Sequence, residues 1–225
     1  MQKLDSKYLT ASVILALIGV IFGLVVKNGI FLQLDLTVGQ AFQAFQPAWL
    51  IAFTRFISVS ELAIFFVALI WLILLLRRHQ STAAKLVILA VFSWIINRLL
   101  KLGFNIACPT SLEFTKFSVA YSFSGMTNQV FGPCGFFNPL VCYPSGHVFN
   151  YLSFWGATFF LRTKITDNKI FQRLIALVSF GFIVFVGIAR ISLGAHWLSD
   201  VIGGYLFGFS WLFLLIYLYH DQYLD

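Results

Sequence analysis

Six apolar runs, at residues 8–26, 62–76, 86–102, 147–161, 170–189 and 197–219, restrict this chain to very few folds. A hydrocarbon core about 30 Å thick takes about 20 mostly apolar helical residues to cross. Within it every backbone N–H and C=O must find a partner inside the protein, which leaves helices and closed barrels. Runs of this length read as helices. The second and fourth are short as they stand, and each is expected to extend into its apolar flank, residues 49–60 and 141–143. The run at 8–26 is too long for the apolar part of a signal peptide and lacks a small-x-small cleavage site, so it counts as a span. The expected fold is all-α: a polytopic integral membrane protein with a six-transmembrane-helix bundle, residues 1–225 forming one domain.

Charge supplies the orientation. Only 10% of residues are charged and 60% are hydrophobic, against about 25% charged in a soluble domain, which excludes an ordinary cytosolic enzyme. Nine basic residues (Lys3, Lys7, Arg77, Arg78, Lys85, Arg162, Lys164, Lys169, Arg173) fall on one side of the six runs. Six (Lys27, Arg55, Arg98, Lys101, Lys116, Arg190) fall on the other. Cytoplasmic loops collect Lys and Arg, so both termini are expected in the cytoplasm. The net charge of +7 then reflects loop anchoring. No basic run is interleaved with exposed aromatics, and no nucleic-acid partner is expected.

Two segments on the outer side are long, 28–47 and 103–146. The first has an amphipathic pattern (Phe31, Leu34, Leu36, Val38, Phe42, Phe45) expected of a helix lying at the interface. The second holds all three cysteines, Cys108, Cys134 and Cys142. In an oxidising compartment one disulfide is expected, with Cys134 and Cys142 the preferred pair. Their spacing matches no zinc pattern, nor the Cys-x-x-Cys arrangement of a thiol oxidoreductase.

Ionisable residues near a bilayer are costly and call for a reason. Three groups fall at the outer ends of the runs: Lys101, then Tyr143-Pro144-Ser145-Gly146-His147, then Arg190 through Asp200. Pro144-Ser145-Gly146-His147 opens a helix, with Ser145 suited to the cap. The unpaired amides of a helix start bind anions. The same residues also read simply as a capped helix with an interfacial histidine. His196 and Asp200, four apart, share a face if helical. A carboxylate on one imidazole nitrogen fixes the tautomer and makes the other nitrogen a better nucleophile. Arg190 offers a planar fork to phosphate oxygens. Two imidazoles, a carboxylate, basic clamps and a helix start suit phosphoryl transfer to histidine with no metal and no cofactor.

These residues resemble the three-part signature of the type 2 phosphatidic acid phosphatase superfamily, the lipid phosphate phosphatases: Lys-x6-Arg-Pro, Pro-Ser-Gly-His and Ser-Arg-x5-His-x3-Asp. The chain has Lys101-x6-Cys108-Pro109, Pro144-Ser145-Gly146-His147 and Ala189-Arg190-x5-His196-x3-Asp200. Leu34-Asp35 through Ser60-Glu61 also looks like the family's first outer loop and the start of its second span, so the resemblance covers nearly the whole chain. It implies that His196 attacks phosphorus to form a phosphohistidine and that Asp200 orients it. His147 would protonate the leaving group and later assist water. Lys101, Ser145, the Gly146 amide and Arg190 would hold the phosphate oxygens. The expected enzyme is a metal-independent phosphatase of the cell (inner) membrane, its site facing the periplasm or exterior. Its partner would be a lipid phosphomonoester or pyrophosphate: phosphatidic acid, phosphatidylglycerol phosphate, a polyprenyl pyrophosphate or lipid A. A lipid-to-lipid phosphotransferase shares these residues, and a catalytically impaired lipid-binding or lipid-transporting homologue is the remaining alternative.

Two departures favour that last alternative: Ala189 replaces a serine, and Cys108 stands where the family has a phosphate-binding arginine. A thiol does not replace a bidentate cation. Arg98 or Lys116 would restore the charge, although Arg98 also reads as an anchor at the headgroup layer. Substituting Cys108→Arg should tighten inhibition by inorganic phosphate; unchanged affinity would show that the site already has its full positive charge.

Overall fold

The computed structural model describes residues 2–59, 61–106 and 141–221. They form helices α1 (Gln2–Lys27), α2 (Leu32–Ala44), α3 (Ala48–Val59), α4 (Glu61–Arg77), α5 (Ser81–Val91), α6 (Ser93–Phe104), α7 (Gly146–Ile165), α8 (Lys169–Ser192) and α9 (Leu198–Asp221). No strand occurs among the described residues. Four stretches are long and apolar enough to cross a membrane: Ser6–Lys27, Ser81–Phe104, Lys169–Ser192 and Leu198–His220. The third expected run is thus two helices with a break at Phe92, where φ is −64° and ψ is −10°.

The other two expected runs are the short ones, each expected to extend into an apolar flank. The run at 62–76 follows helix α3 over residues 48–59, which packs mainly against α8; whether the two join lies outside the described residues, at position 60. The run at 147–161 does not extend into 141–143, because α7 starts at Gly146. Proline disfavours helical geometry in the residue before it, and Tyr143 is followed by Pro144 across a cis peptide bond. Instead α7 lengthens at its other end, to Ile165.

α7 is the central helix. It packs on α4, α5, α6, α8 and α9, and 13 of its 20 residues are buried, including Asn150, Ser153 and Thr158. Its polar content follows from that position, since a helix walled by protein rather than lipid can carry satisfied polar groups. Ser153 Oγ donates to the Phe149 carbonyl at 2.7 Å, and Asn150 Oδ1 accepts from Ser93 Oγ at 3.1 Å. The outer helices show the complement. Leu17, Ile21 and Leu24 on α1, Phe65 and Phe66 on α4, and Leu177 and Phe180 on α8 are exposed. On a soluble protein that belt would be an aggregation surface; here it faces lipid.

Two ends of the bundle are distinct. At one, Arg78 after α4 pairs with Asp167 between α7 and α8 at 2.6 Å, both exposed, and Asn168 caps α8 by accepting from Ile170 and Phe171. At the other lie residues 141–147 and 190–200. There α9 approaches the 143–145 turn closely. A Cβ on Gly203 would fall 2.4 Å from the ring of Tyr143, and one on Gly204 would fall 2.9 Å from the Ser145 carbonyl oxygen. Tyr143 is fully buried, and its hydroxyl donates to the Gly19 carbonyl at 2.9 Å. The sheet of rings formed with Phe104 and Phe207 fixes its position. Gly203→Ala should therefore destabilise by about 1–3 kcal/mol through overpacking. Gly181→Ala on α8, with nothing within 4 Å of the new methyl, should be neutral or stabilising by up to about 1 kcal/mol. Thermal denaturation of both variants in detergent checks the pair.

Candidate functional site

The segment carrying Arg190, His196 and Asp200 is a tight turn between two well-defined helix ends. α8 finishes in a Schellman motif, with Gly194 N–H donating to the Ile191 carbonyl at 2.9 Å and Ala195 N–H to the Arg190 carbonyl at 3.1 Å. The motif needs a left-handed residue, and Gly194 supplies it at φ +63°. The reversal brings His196 back beside the last turn of α8, where Arg190 sits, almost wholly buried. α9 then starts at Leu198. Asp200, in its third position, reaches back so that Oδ2 accepts from the Trp197 N–H at 3.0 Å. This is one half of a capping box.

His196 is therefore not on the helix with Asp200, as the i, i+4 spacing suggested, but in the turn before it. The two side chains still meet: Nδ1 of His196 lies 3.3 Å from Oδ2 of Asp200. His196 is 6% exposed and Asp200 fully buried. Burial, followed by the positive charges of Lys101, Arg190 and His147, pushes the His196 imidazole well below its ordinary value of 6.5. All three charges that act on it are sequence-predicted site residues.

A backbone hydrogen bond joins the second motif to the third. The Ser145 N–H donates to the Asp200 carbonyl at 2.9 Å, so Pro144-Ser145-Gly146-His147 sits directly against the start of α9. Ser145 occupies the N-cap position of α7, but its side chain makes no capping bond. Among the described residues its Oγ is buried without a hydrogen-bond partner, as are Oδ1 of Asp200 and Oγ of Ser192. A ligand oxygen or water held there satisfies such atoms. Gly146 packs against Asn97 of α6, where a Cβ would fall 2.9 Å from Oδ1. His147 is half-buried one residue further on. Lys101, one turn along α6 from Asn97, donates from Nζ to the Val141 carbonyl at 2.9 Å. The structure thus gathers Lys101, Ser145, Gly146, His147, Arg190, His196 and Asp200 at one end of the bundle.

Cys142 is disulfide-bonded, while Cys108 and Cys134, and with them the expected pairing and the Cys108 departure, lie outside the described residues. Lys116 lies outside them too. Arg98 is on α6, half-buried, three residues before Lys101. The Cys142 sulfur, a His196 nitrogen and an Asp200 oxygen lie within 4.8 Å of one another. A disulfide sulfur carries no thiolate charge, so this oxidised trio lacks the anionic sulfur that a zinc centre uses.

The amphipathic pattern over 31–45 does form a helix, α2, with Leu34 exposed; what the sequence reading missed is its inward stripe, buried at Asp35, Gly39 and Gln43. The environment is lipid, so the polar stripe turns inward. Asp35, 5% exposed, accepts from the Ser199 N–H at 2.8 Å and the Ser199 hydroxyl at 2.6 Å. Burial raises its pKa, opposed by these bonds and by the Leu198 amide. Gln43 and Gln46 each donate to the Ser192 carbonyl, at 2.8 and 2.7 Å. The signal was legible as the i, i+4, i+8 spacing of 35, 39 and 43.

Residues 82–224 match the sequence profile of the PAP2 superfamily, and the chain belongs to that superfamily. No curated protein matches it. Among solved structures it is similar to a transmembrane PAP2 type phosphatidylglycerolphosphate phosphatase from Bacillus subtilis, with a TM-score of 0.72 and 18% sequence identity over 95% of this chain and 97% of that one. At that identity the likeness establishes the fold.

A buried imidazole held neutral sets a pH dependence. Below about 6.5 the unfolded chain takes up a proton that native His196 does not, so this residue's contribution to stability declines as pH falls and recovers as pH rises. In ¹⁵N-histidine spectra of the ligand-free protein, His196 should remain neutral at pH values just below 6.5, where an unperturbed imidazole is protonated.

Proposed function

As a PAP2 superfamily member, this chain, we propose, is a metal-independent lipid phosphate phosphatase working through a phosphohistidine. The supporting observation is the Ser145–Asp200 backbone bond, which sets a helix start and an imidazole beside a second, buried imidazole. In this reading neutral His196 attacks phosphorus while its Nδ1–H is held by Asp200. The P–O bond to the lipid breaks, and protonated His147 gives its proton to the departing oxygen. His147 then takes a proton from water, which cleaves the P–N bond and releases phosphate. Lys101, Arg190, Ser145 Oγ and the Gly146 amide hold the non-bridging oxygens, where charge develops.

The proposed substrate is a lipid phosphomonoester or pyrophosphate. Phosphatidylglycerol phosphate is the first to test, because the similar solved structure is named for it. The proposed topology is one domain of six spans with both termini cytoplasmic in the cell (inner) membrane, and the site at the periplasmic or exterior face. Supporting it, the nine basic residues all fall toward the end marked by the Arg78–Asp167 pair.

Purified protein in detergent with chelator present should release phosphate from phosphatidylglycerol phosphate or phosphatidic acid. His196→Ala should lower turnover by at least about 10³-fold, and Arg190→Ala by about 10²–10³-fold. The kcat/KM profile should be bell-shaped, with its acidic limb set below 6.5 by the depressed His196. Absence of phosphate release, or full activity in His196→Ala, overturns the reading.

A further inference from the structure

We propose that α2 is a clamp on the turn that carries His196, and that Asp35 is its principal positioning residue. The inference rests on the proposed role of His196 as nucleophile. The turn runs from Ser192, the last residue of α8, to Ser199, the second residue of α9. α2 holds both ends. At the α8 end, Gln43 of α2 and Gln46, two residues past its end, both donate to the Ser192 carbonyl, one of the acceptors a helix terminus leaves unsatisfied. At the α9 end, the Asp35 carboxylate takes the Ser199 N–H with one oxygen and the Ser199 hydroxyl with the other. The Ser199 amide is one of the unsatisfied donors of a helix start, where a negative charge is favoured.

Asp35 thereby fixes the residue immediately before Asp200. The orientation of Asp200 has two other anchors: its carbonyl accepts from the Ser145 amide at the start of α7, and its carboxylate accepts from the Trp197 amide just before α9. The third anchor comes from Asp35, 164 residues away in sequence. Without it the first turn of α9 keeps only the Ser145 and Trp197 bonds, and the Asp200 oxygen that faces His196 Nδ1 is held less tightly. A carboxylate 5% exposed is costly to bury. One placed to bond two groups of a single residue beside the acid of the site is accounted for by the precision it gives that acid. A misplacement of about 1 Å at a reacting group costs on the order of 10²-fold in rate.

The test compares Asp35→Ala, Asp35→Asn and wild type, each assayed for phosphate release per unit of folded protein and each recorded by ¹⁵N-histidine NMR. Asp35→Ala should lower kcat by on the order of 10–100-fold with KM within about 2-fold of wild type. Asp35→Asn, which keeps one oxygen to accept from Ser199, should recover most of that loss. In the spectra Asp35→Ala should shift the His196 nitrogens and leave His79 and His220, at the opposite end of the bundle, unmoved. The clamp is overturned if kcat per folded molecule is unchanged and the His196 resonances stay in place, or if Asp35→Asn is as impaired as Asp35→Ala. Failure of wild type to release phosphate refutes the phosphatase reading separately, and the His196 resonances still decide the clamp.

Discussion

One buried hydrogen bond, from the Ser145 amide to the Asp200 carbonyl, ties together the two motifs at the candidate-site end of this bundle. It crosses between the start of α7 and the start of α9, two helix N-termini that point the positive ends of their dipoles into the same volume. Such ends repel each other unless something negative lies between them. The carboxylates of Asp200 and Asp35 supply part of that charge, and in the proposed function a phosphate supplies the rest. Gly203 and Gly204 make the approach possible by leaving no side chain where the 143–145 turn must pass. The turn is then locked from behind by Tyr143, which carries a hydrogen bond to α1.

The surrounding lipid relaxes the ordinary rule of burial. On α1, α4 and α8 many large apolar residues face outward while Ile64, Trp71, Leu75 and Ile175 lie in the core, and serine, asparagine, glutamine and aspartate are buried as well. That tolerance lets a helix as polar as α7 occupy the centre, and it lets α2 turn a polar stripe inward. The same medium makes each interior polar contact consequential, since no water competes for the groups once they are paired.

How much of this was legible in the sequence follows from the range of each interaction. The motif residues were found because their logic is local: a Pro-Ser-Gly-His helix start, and a histidine four residues ahead of an aspartate. Membrane insertion and the all-helical fold were equally legible, from the length of the apolar runs. Less legible were features decided by distant partners. Ser145 looked like a capping residue, yet its backbone is used by Asp200 and its hydroxyl makes no cap. Residues 141–143 looked apolar enough to extend α7, but Pro144 and the packing of Tyr143 under Gly203 stop the helix. α2 was read by its apolar residues when its polar stripe carries the contacts, because the sign of amphipathicity depends on which solvent lies outside.

The pairing of α1 with α9 bears on how the chain is assembled. Ser12 and Ser210 exchange hydrogen bonds across 198 residues, and α1 packs along α9 for much of its length. α1 thus has its main partner in α9, far along the chain. Until synthesis reaches α9, α1 must wait in the bilayer with Ser12 unmatched, and α2, which follows it, has no Ser199 to hold. Closure of this long loop is late and slow by its contact separation. The histidine turn is therefore completed only when α9 meets α1 and α2.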